Sequence, residues 1–314
     1  MPLKIPNDLP ASKILKEENI FVMDETRALS QRIRPLKLII VNIMPTKIVT
    51  ETQLLRLLSN TPLQIEVDWL CMESHNSKNT SQEHLMEFYK TFNEIKDNKY
   101  DGLIVTGAPV EKLKFEDVDY WNELTNIFDW ANTNVFSSFF ICWASQASLY
   151  YYYGVEKYQL KEKLTGVYHH HTNPEKMRRR ILRGFDYQFY APHSRYTSVK
   201  KEDIEKIDSL DILASSNDAG VYLVAEKDGS RFFVTGHPEY DPDTLDKEYH
   251  RDLAKGGDCV MPKNYYKNDD VNDEILVKWR SHAYLLFSNW LNYYVYQNTP
   301  YNLDDLLKMK TTNK

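Results

Sequence analysis

Short, uninterrupted apolar runs alternate along this chain with longer stretches in which apolar residues return every three or four positions. KLIIVNI (37–43) is nearly apolar throughout, as a strand buried on both faces of a sheet must be. Behind it, Leu54, Leu55, Leu57 and Leu58 predict a helix, with Thr50 and Gln53 spaced as a capping box. LQIEVDWL (63–70) predicts the next strand. Thr80 and Glu83 then open a second helix, whose Leu85, Phe88, Tyr89, Phe92 and Ile95 follow a helical stripe. DGLIVTG (101–107) predicts a strand ending at a glycine, and Trp121, Leu124, Ile127, Phe128 and Ala131 line one side of a third helix. VFSSFFIC (135–142) predicts a fourth strand, followed by a helix from about Ala144 to Tyr153.

Strands alternating with helices of this length need crossover connections. The expected fold class is therefore α/β, with a doubly wound, mostly parallel, flavodoxin-like sheet. The second half is less regular. DILASS, VYLVAEK and RFFVTG predict strands, the last two joined by a turn at Lys227, Asp228 and Gly229, and helices follow at 242–256 and 273–296. This pattern suggests an N-terminal arm over residues 1–35, a single α/β domain over 36–297 and a frayed, charged tail over 298–314. Ligands of such sheets bind at the carboxyl ends of the strands, which is where chemistry is to be sought.

Charge and cysteine content narrow the function classes. The 314 residues include 39 basic and 45 acidic ones, a formal charge of −6, so there is no global basic field for nucleic acid. Cys71, Cys142 and Cys259 cannot all pair and form no CxxC, which argues against a disulfide scaffold or a thiolate zinc site and for a reducing, cytoplasmic compartment. Charge and proline interrupt MPLKIPNDLPASKILKEEN where a signal peptide would be apolar. Trp130 to Val155 lacks charged residues but holds Asn132, Asn134, Ser137, Ser138, Ser145 and Gln146, so a buried strand, turn and helix explain it better than a membrane span.

Two of the strand ends carry chemistry. Cys142 closes SSFFI and precedes Trp143-Ala144-Ser145-Gln146, the start of a helix. A thiol at such a junction sits beside free backbone N–H groups and the positive end of the helix dipole, which favour a thiolate and a developing oxyanion. The bland alternative is a packed thiol, since free cysteine is among the most buried residue types. RFFVTGHPEYDP is the second strand end. His237 and Glu239 are two apart, so in extended chain they project to one side as a base and its orienting carboxylate. A Cys142–His237–Glu239 triad follows, with a glutamine amidotransferase or cysteine hydrolase, an acyltransferase and a thiol redox sensor all compatible with it.

Longer strings narrow this choice. IFVMDETRA, IRPLKLIIVNIMPTK, TETQLLRLLSNTPLQIEV, YDGLIVTGAPVE, FFICWASQA, APHSRYT, GHPEYD and EYHRDL together resemble the homoserine O-acyltransferases of methionine biosynthesis, the MetA family, within the class I glutamine amidotransferase-like superfamily. Ala144 departs from the glycine found after the Cys-Trp pair in many relatives, though alanine is still small. The resemblance implies Cys142 as acyl-accepting nucleophile, His237 as proton acceptor and Glu239 as its partner. It places Lys47 and the Trp143 N–H at the oxyanion, and Lys163, Ser194 and Arg251 at the amino-acid acceptor. It also makes Glu111 the residue that sets donor specificity, because a glutamate there would exclude a succinyl carboxylate by volume and charge. The implied reaction moves an acetyl group from acetyl-CoA, a cosubstrate, to L-homoserine, with no bound cofactor. A homodimer, free of membrane and nucleic acid, is expected. Succinyl-CoA as donor and serine as acceptor remain alternatives.

Other features are read as structural. His169, His170 and His171 point alternately to opposite faces of a strand and have no accompanying metal pattern, so polar packing is expected. Arg178, Arg179 and Arg180 read as a solvated basic face. Cys71 and Cys259 read as bystander thiols, with Ser145 and Gln146 stabilising the turn after Cys142. No GxGxxG or Walker loop marks a site for the CoA phosphates.

Overall fold

The computed structural model of the chain describes residues 3–5, 22–24, 34–75, 79–256 and 259–306. Within the expected N-terminal arm, β1 (Leu3–Ile5) and β2 (Val22–Asp24) pair in parallel, and the remainder of 1–33 lies outside the described residues. The α/β class holds. Ten strands form one sheet in the order β5-β4-β3-β6-β7-β12-β11-β10-β8-β9. They are β3 (Leu36–Val41), β4 (Ile65–Leu70), β5 (Tyr89–Lys90), β6 (Tyr100–Val105), β7 (Val135–Ile141), β8 (Lys157–Thr172), β9 (Gln188–Val199), β10 (Leu210–Ser216), β11 (Gly220–Glu226) and β12 (Arg231–Val234). Five pairings, from β5 to β12, are parallel, and the four from β12 to β9 are antiparallel. The expected parallel sheet is thus one half of a mixed one.

In the parallel half, alternate residues feed two cores. Leu38 and Ile40 of β3 pack under α1 (Lys47–Leu58) and α6 (Arg280–Trp290), while Ile39 and Val41 pack under α3 (Trp121–Asn134) and α4 (Trp143–Tyr153). Covering both faces is what requires an uninterrupted apolar run. The stripe of α3 works as predicted: its buried residues are Trp121, Leu124, Ile127, Phe128 and Ala131.

Several boundaries differ from the sequence pattern. Helix α1 begins at Lys47, so Thr50 and Gln53 lie inside it, and Gln53 Nε2 instead donates 3.0 Å to Thr244 Oγ1 across the cleft. The second helix, α2 (Gln82–Phe88), is capped by Ser81 and stops short of the predicted stripe, because Tyr89 and Lys90 pair with Trp69 and Leu70 as the edge strand β5. The last helix starts at Arg280 and ends in a π-helical turn over Leu291–Tyr296. The expected frayed tail is tied down at its start. Arg34 bridges the buried Asp101 carboxylate (2.6 and 2.8 Å) and the Pro300 carbonyl (3.0 Å), and Leu306 is fully buried. Arg178 and Arg180 are exposed as expected. Arg179 is not, since its guanidinium donates 2.8 Å to the carbonyls of both Glu226 and Lys227. Among the described residues no helix is long and apolar enough to cross a membrane.

Candidate active site

The carboxyl ends of β6, β7 and β12 converge on one cavity of about 380 Å³. Cys142, between β7 and α4, has φ 51° and ψ −113°, a left-handed conformation that a side chain rarely adopts. The chain reverses there within one residue. The thiol is thereby aimed over the sheet edge, and Trp143 becomes the first residue of α4, with an N–H that has no partner inside the helix. Ser145 Oγ donates 2.6 Å to the Cys142 carbonyl and pins the turn, as expected. Ala144 is fully buried and fits without glycine's freedom.

His237 leaves the end of β12 and faces Cys142. Its Nδ1 lies 2.7 Å from Glu239 Oε1, and both side chains are buried. Burial works against a charged imidazole, yet negative charge on Cys142 and Glu239, and hydrogen bonds to both, hold His237 well above the ordinary histidine range. The environment thus favours the imidazolium form of His237 beside Cys142.

Two glycines permit this approach. A Cβ on Gly107, at the end of β6, would stand 3.3 Å from both Cys142 Cβ and His237 Cε1. A Cβ on Gly236 would meet the Pro192 carbonyl at 2.7 Å, the same carbonyl that accepts the His237 backbone N–H at 2.9 Å. Strand β9 therefore supports the Cys142–His237–Glu239 cluster from the antiparallel side.

The cavity also brings together Glu111, Lys163, Ser194 and Arg251 from the sequence-predicted set. Glu111 is half-buried in its wall, and burial pushes its carboxyl up, against the opposing pull of His237 and Lys163. Lys163 on β8 and Ser194 on β9 are brought side by side by the register that pairs Thr165 with Ser194. Arg251 stands on α5 (Thr244–Ala254), where its Nε and Nη2 hold Asp252 Oδ1 at 3.0 and 2.9 Å.

Lys47 is the exception. It does not line this cavity but a neighbouring one of about 670 Å³, which shares Met44, Pro45 and Pro109 with the first. Its ammonium donates to the Asn42 carbonyl and lies 5.6 Å from the Tyr89 ring centre, a hold set by its place on the first turn of α1. Burial lowers it to about 8. Lys47, expected at the oxyanion, thus lines the adjoining cavity.

Sequence reading missed several residues of the site. Tyr240 stacks on His237 with ring centres 4.1 Å apart, and its hydroxyl donates 2.8 Å to Glu248 Oε1. Behind the triad, Arg195, His193 and His170 form a buried chain. His170 Nδ1 lies 2.9 Å from the Tyr168 carbonyl, so it donates there, and its Nε2 must accept from His193 Nε2 at 3.1 Å. His193 Nδ1 then accepts from Arg195 Nε at 3.4 Å, which makes both imidazoles neutral. Burial agrees, lowering His170 to about 3 and His193 in the same direction. The polar packing expected of the histidine run is thus met at its middle member. Among the described residues no group of three or more His, Cys, Asp or Glu side chains is placed to hold a metal ion.

A family model described as homoserine O-succinyltransferase matches residues 2–301. The chain belongs to this family. It is 72% identical over 311 residues to the homoserine O-acetyltransferase of Catenibacterium mitsuokai, covering 99% of this chain and 100% of that one. It is 60% identical to that of Petrotoga mobilis (98% of each chain) and 56% identical to that of Bacteroides fragilis (98% and 100%). Among solved structures, a glutamine amidotransferase from Thermotoga maritima aligns with TM-score 0.53 at 12% identity, covering 82% of this chain and 97% of that one. One from Methylobacillus flagellatus gives 0.51 at 11%, covering 83% and 95%. At that identity the likeness is one of fold.

Proposed function

We propose that this member of the homoserine O-succinyltransferase family acetylates the hydroxyl of L-homoserine from acetyl-CoA through a Cys142 thioester. The observation that carries the reading is a buried Cys142–His237–Glu239 constellation opening into the same cavity as Lys163, Ser194 and Arg251. In the first step the Cys142 thiolate attacks the thioester carbonyl. The Trp143 N–H faces the tetrahedral oxyanion, the CoA–sulfur bond breaks, and His237 delivers its proton to the departing thiolate. In the second, neutral His237 takes the proton of the homoserine hydroxyl. Its oxygen attacks the acyl-enzyme, the C–S bond breaks and Cys142 is regenerated. The Arg251 guanidinium suits the substrate carboxylate.

The donor is assigned through Glu111. A carboxylate already half-buried in the cavity wall takes up the room of a longer acyl group and repels a distal carboxylate in low-dielectric surroundings, whereas an acetyl group meets no such charge. The 72% identical relative carries the acetyltransferase name, in agreement. Free cysteines suit a reducing compartment, and we place the protein in the cytoplasm.

Mass spectrometry tests nucleophile, donor and acceptor together. Incubation with acetyl-CoA adds one acetyl group on Cys142, homoserine removes it, Cys142→Ala does not acquire it, and succinyl-CoA labels poorly. An unlabelled wild-type Cys142, or glutamine hydrolysis in its place, overturns the reading.

A further inference from the structure

Strand β9 alternates between two faces. Ser194 and Tyr196 line the cavity, while His193, Arg195 and Thr197 turn inward and are buried. Arg195 is 1% exposed, yet each of its nitrogens has a partner. Nε donates to His193 Nδ1 at 3.4 Å, Nη1 to the Thr197 carbonyl at 2.7 Å and Nη2 to the Ala219 carbonyl at 2.5 Å. All three acceptors are neutral. Arg34, Arg56, Arg179, Arg231 and Arg251 pair with carboxylates, but among the described residues Arg195 pairs with none. Its hydrogen bonds are complete and its charge is not balanced. A guanidinium stays charged inside a protein, and a buried charge without a partner is costly.

These contacts tie Arg195 to both elements that carry the triad. The His193 ring packs on Gly236, one residue before His237, where a Cβ would stand 3.1 Å from His193 Cε1. The Thr197 carbonyl also accepts from Gln146 Nε2 at 3.2 Å, and Thr197 Oγ1 donates 2.8 Å to Gln146 Oε1. Gln146 is fully buried in the first turn of α4, and its backbone N–H donates 3.3 Å to the Cys142 carbonyl. Burial lowers the Arg195 guanidinium, and the largest influence opposing burial is negative charge on Cys142, ahead of Tyr158, Tyr168 and Glu111.

We propose that Arg195 is a positioning residue whose fixed positive charge, set behind the Cys142 turn, stabilises the negative charge that the nucleophile carries before attack and regains when the acyl group leaves. This rests on Cys142 as the nucleophile of the reading above. Arg195 does not line the cavity, so it acts through Cys142 and not on the substrate. Its field is felt in a buried region where water screens little. The same charge helps to keep His193 and His170 neutral, which leaves Arg195 as the one cation of that chain. His237 supplies positive charge only while it holds its second proton. Arg195 supplies it through both half-reactions.

The test is the pH dependence of Cys142 alkylation by iodoacetamide, followed by peptide mass spectrometry, which reads the thiolate without any acyl transfer. His237, Glu239 and Tyr240 beyond β12, Glu111 beyond β6 and Lys163 on β8 also face this region, so the comparison is between chains that differ at Arg195 alone. In Arg195→Met the midpoint for Cys142 should rise by about one pH unit, so that alkylation below the wild-type midpoint slows about tenfold. Arg195→Lys, which keeps a charge, should recover part of that shift, and Cys71 in the same samples should not move. A role confined to packing alters rates or Tm without moving the midpoint. An unchanged midpoint in Arg195→Met, or an equal shift in Arg195→Lys, overturns the proposal. Should Arg195→Met not fold, Arg195→Gln, whose amide can still donate to one of the carbonyls, decides by the same midpoint. Acetyl-enzyme formation by the wild type is measured in parallel. Its absence strikes the acyl-transfer reading, whereas its presence with an unchanged midpoint strikes only the role of Arg195.

Discussion

Strands β3, β6 and β7 run parallel with side chains buried on both faces, whereas β8 and β9 run antiparallel and β8 is exposed or half-exposed over Lys157–Leu164. The parallel half supplies Cys142 on its left-handed turn. That conformation costs of order 1–3 kcal/mol and persists only where the surroundings over-determine it. They do so here: Ile141, Cys142, Trp143 and Ala144 are all buried, and the Cys142 N–H donates 2.7 Å to the Val234 carbonyl. The antiparallel half supplies Lys163 and Ser194, whose neighbours are charges and hydroxyls. His237 lies where the halves meet. Rigidity is concentrated around Cys142, and polarity around Lys163 and Ser194.

That division predicts a graded response to substitution. The largest effect is expected at the junction. Glu239→Gln keeps the shape of the side chain but removes the charge that orients and supports the His237 imidazolium, so kcat/KM should fall by about 10³-fold. Because Glu239 raises His237, the pH at which the imidazolium loses its proton should move down toward the ordinary histidine range in the same variant. Rate-versus-pH profiles of acyl-enzyme formation check both, and a wild-type profile would remove Glu239 from the triad. A smaller effect is expected on the parallel side. Gly107→Ala places a methyl 3.3 Å from both Cys142 Cβ and His237 Cε1, so the pair must part by a few tenths of an ångström. A loss in kcat of about tenfold at nearly unchanged Tm is expected, and full activity would show that the approach is not limiting.

Legibility followed the same line. In the parallel half, burial on two faces writes apolar runs and helical stripes into the chain, and the turns between them put Cys142 and His237-x-Glu239 at strand ends. The register slip between Gln159 and Leu164 and the exposed charges of KYQLKEK erase any alternation in β8, so the long β8–β9 hairpin left no periodic trace. Glu248 and Tyr240 went unseen for a related reason. Their contacts join residues that are eight apart, or far apart, in sequence, and no local spacing marks them. MPTK specifies a helix start but not which way its first side chain, Lys47, turns. The Asn42 carbonyl and the Tyr89 ring decide that.

The smallest expected effect tests the buried support of the antiparallel half through pH. His170 is pressed to about 3 in the folded protein, and His193 is lowered too, against an ordinary value of 6.5. As pH falls below about 6.5 the unfolded chain takes up protons that the folded chain refuses. Stability is therefore complete above that value and lost progressively on the way down to about 3. Each neutral histidine should cost about 1.4 kcal/mol at one pH unit below its unfolded value. His237 is raised and titrates in the opposite sense, its contribution being complete at low pH and lost as pH rises, so it offsets part of the loss, and the comparison is made with a variant that keeps His237. Urea unfolding at pH 7.5 and 5.5 measures the difference. His170→Gln, whose amide can donate to the Tyr168 carbonyl and accept from His193, should shift that difference by about 1.4 kcal/mol in favour of stability at pH 5.5, by deleting one of the two groups that carry the loss. An unchanged difference would mean that His170 does not stay neutral in the folded chain.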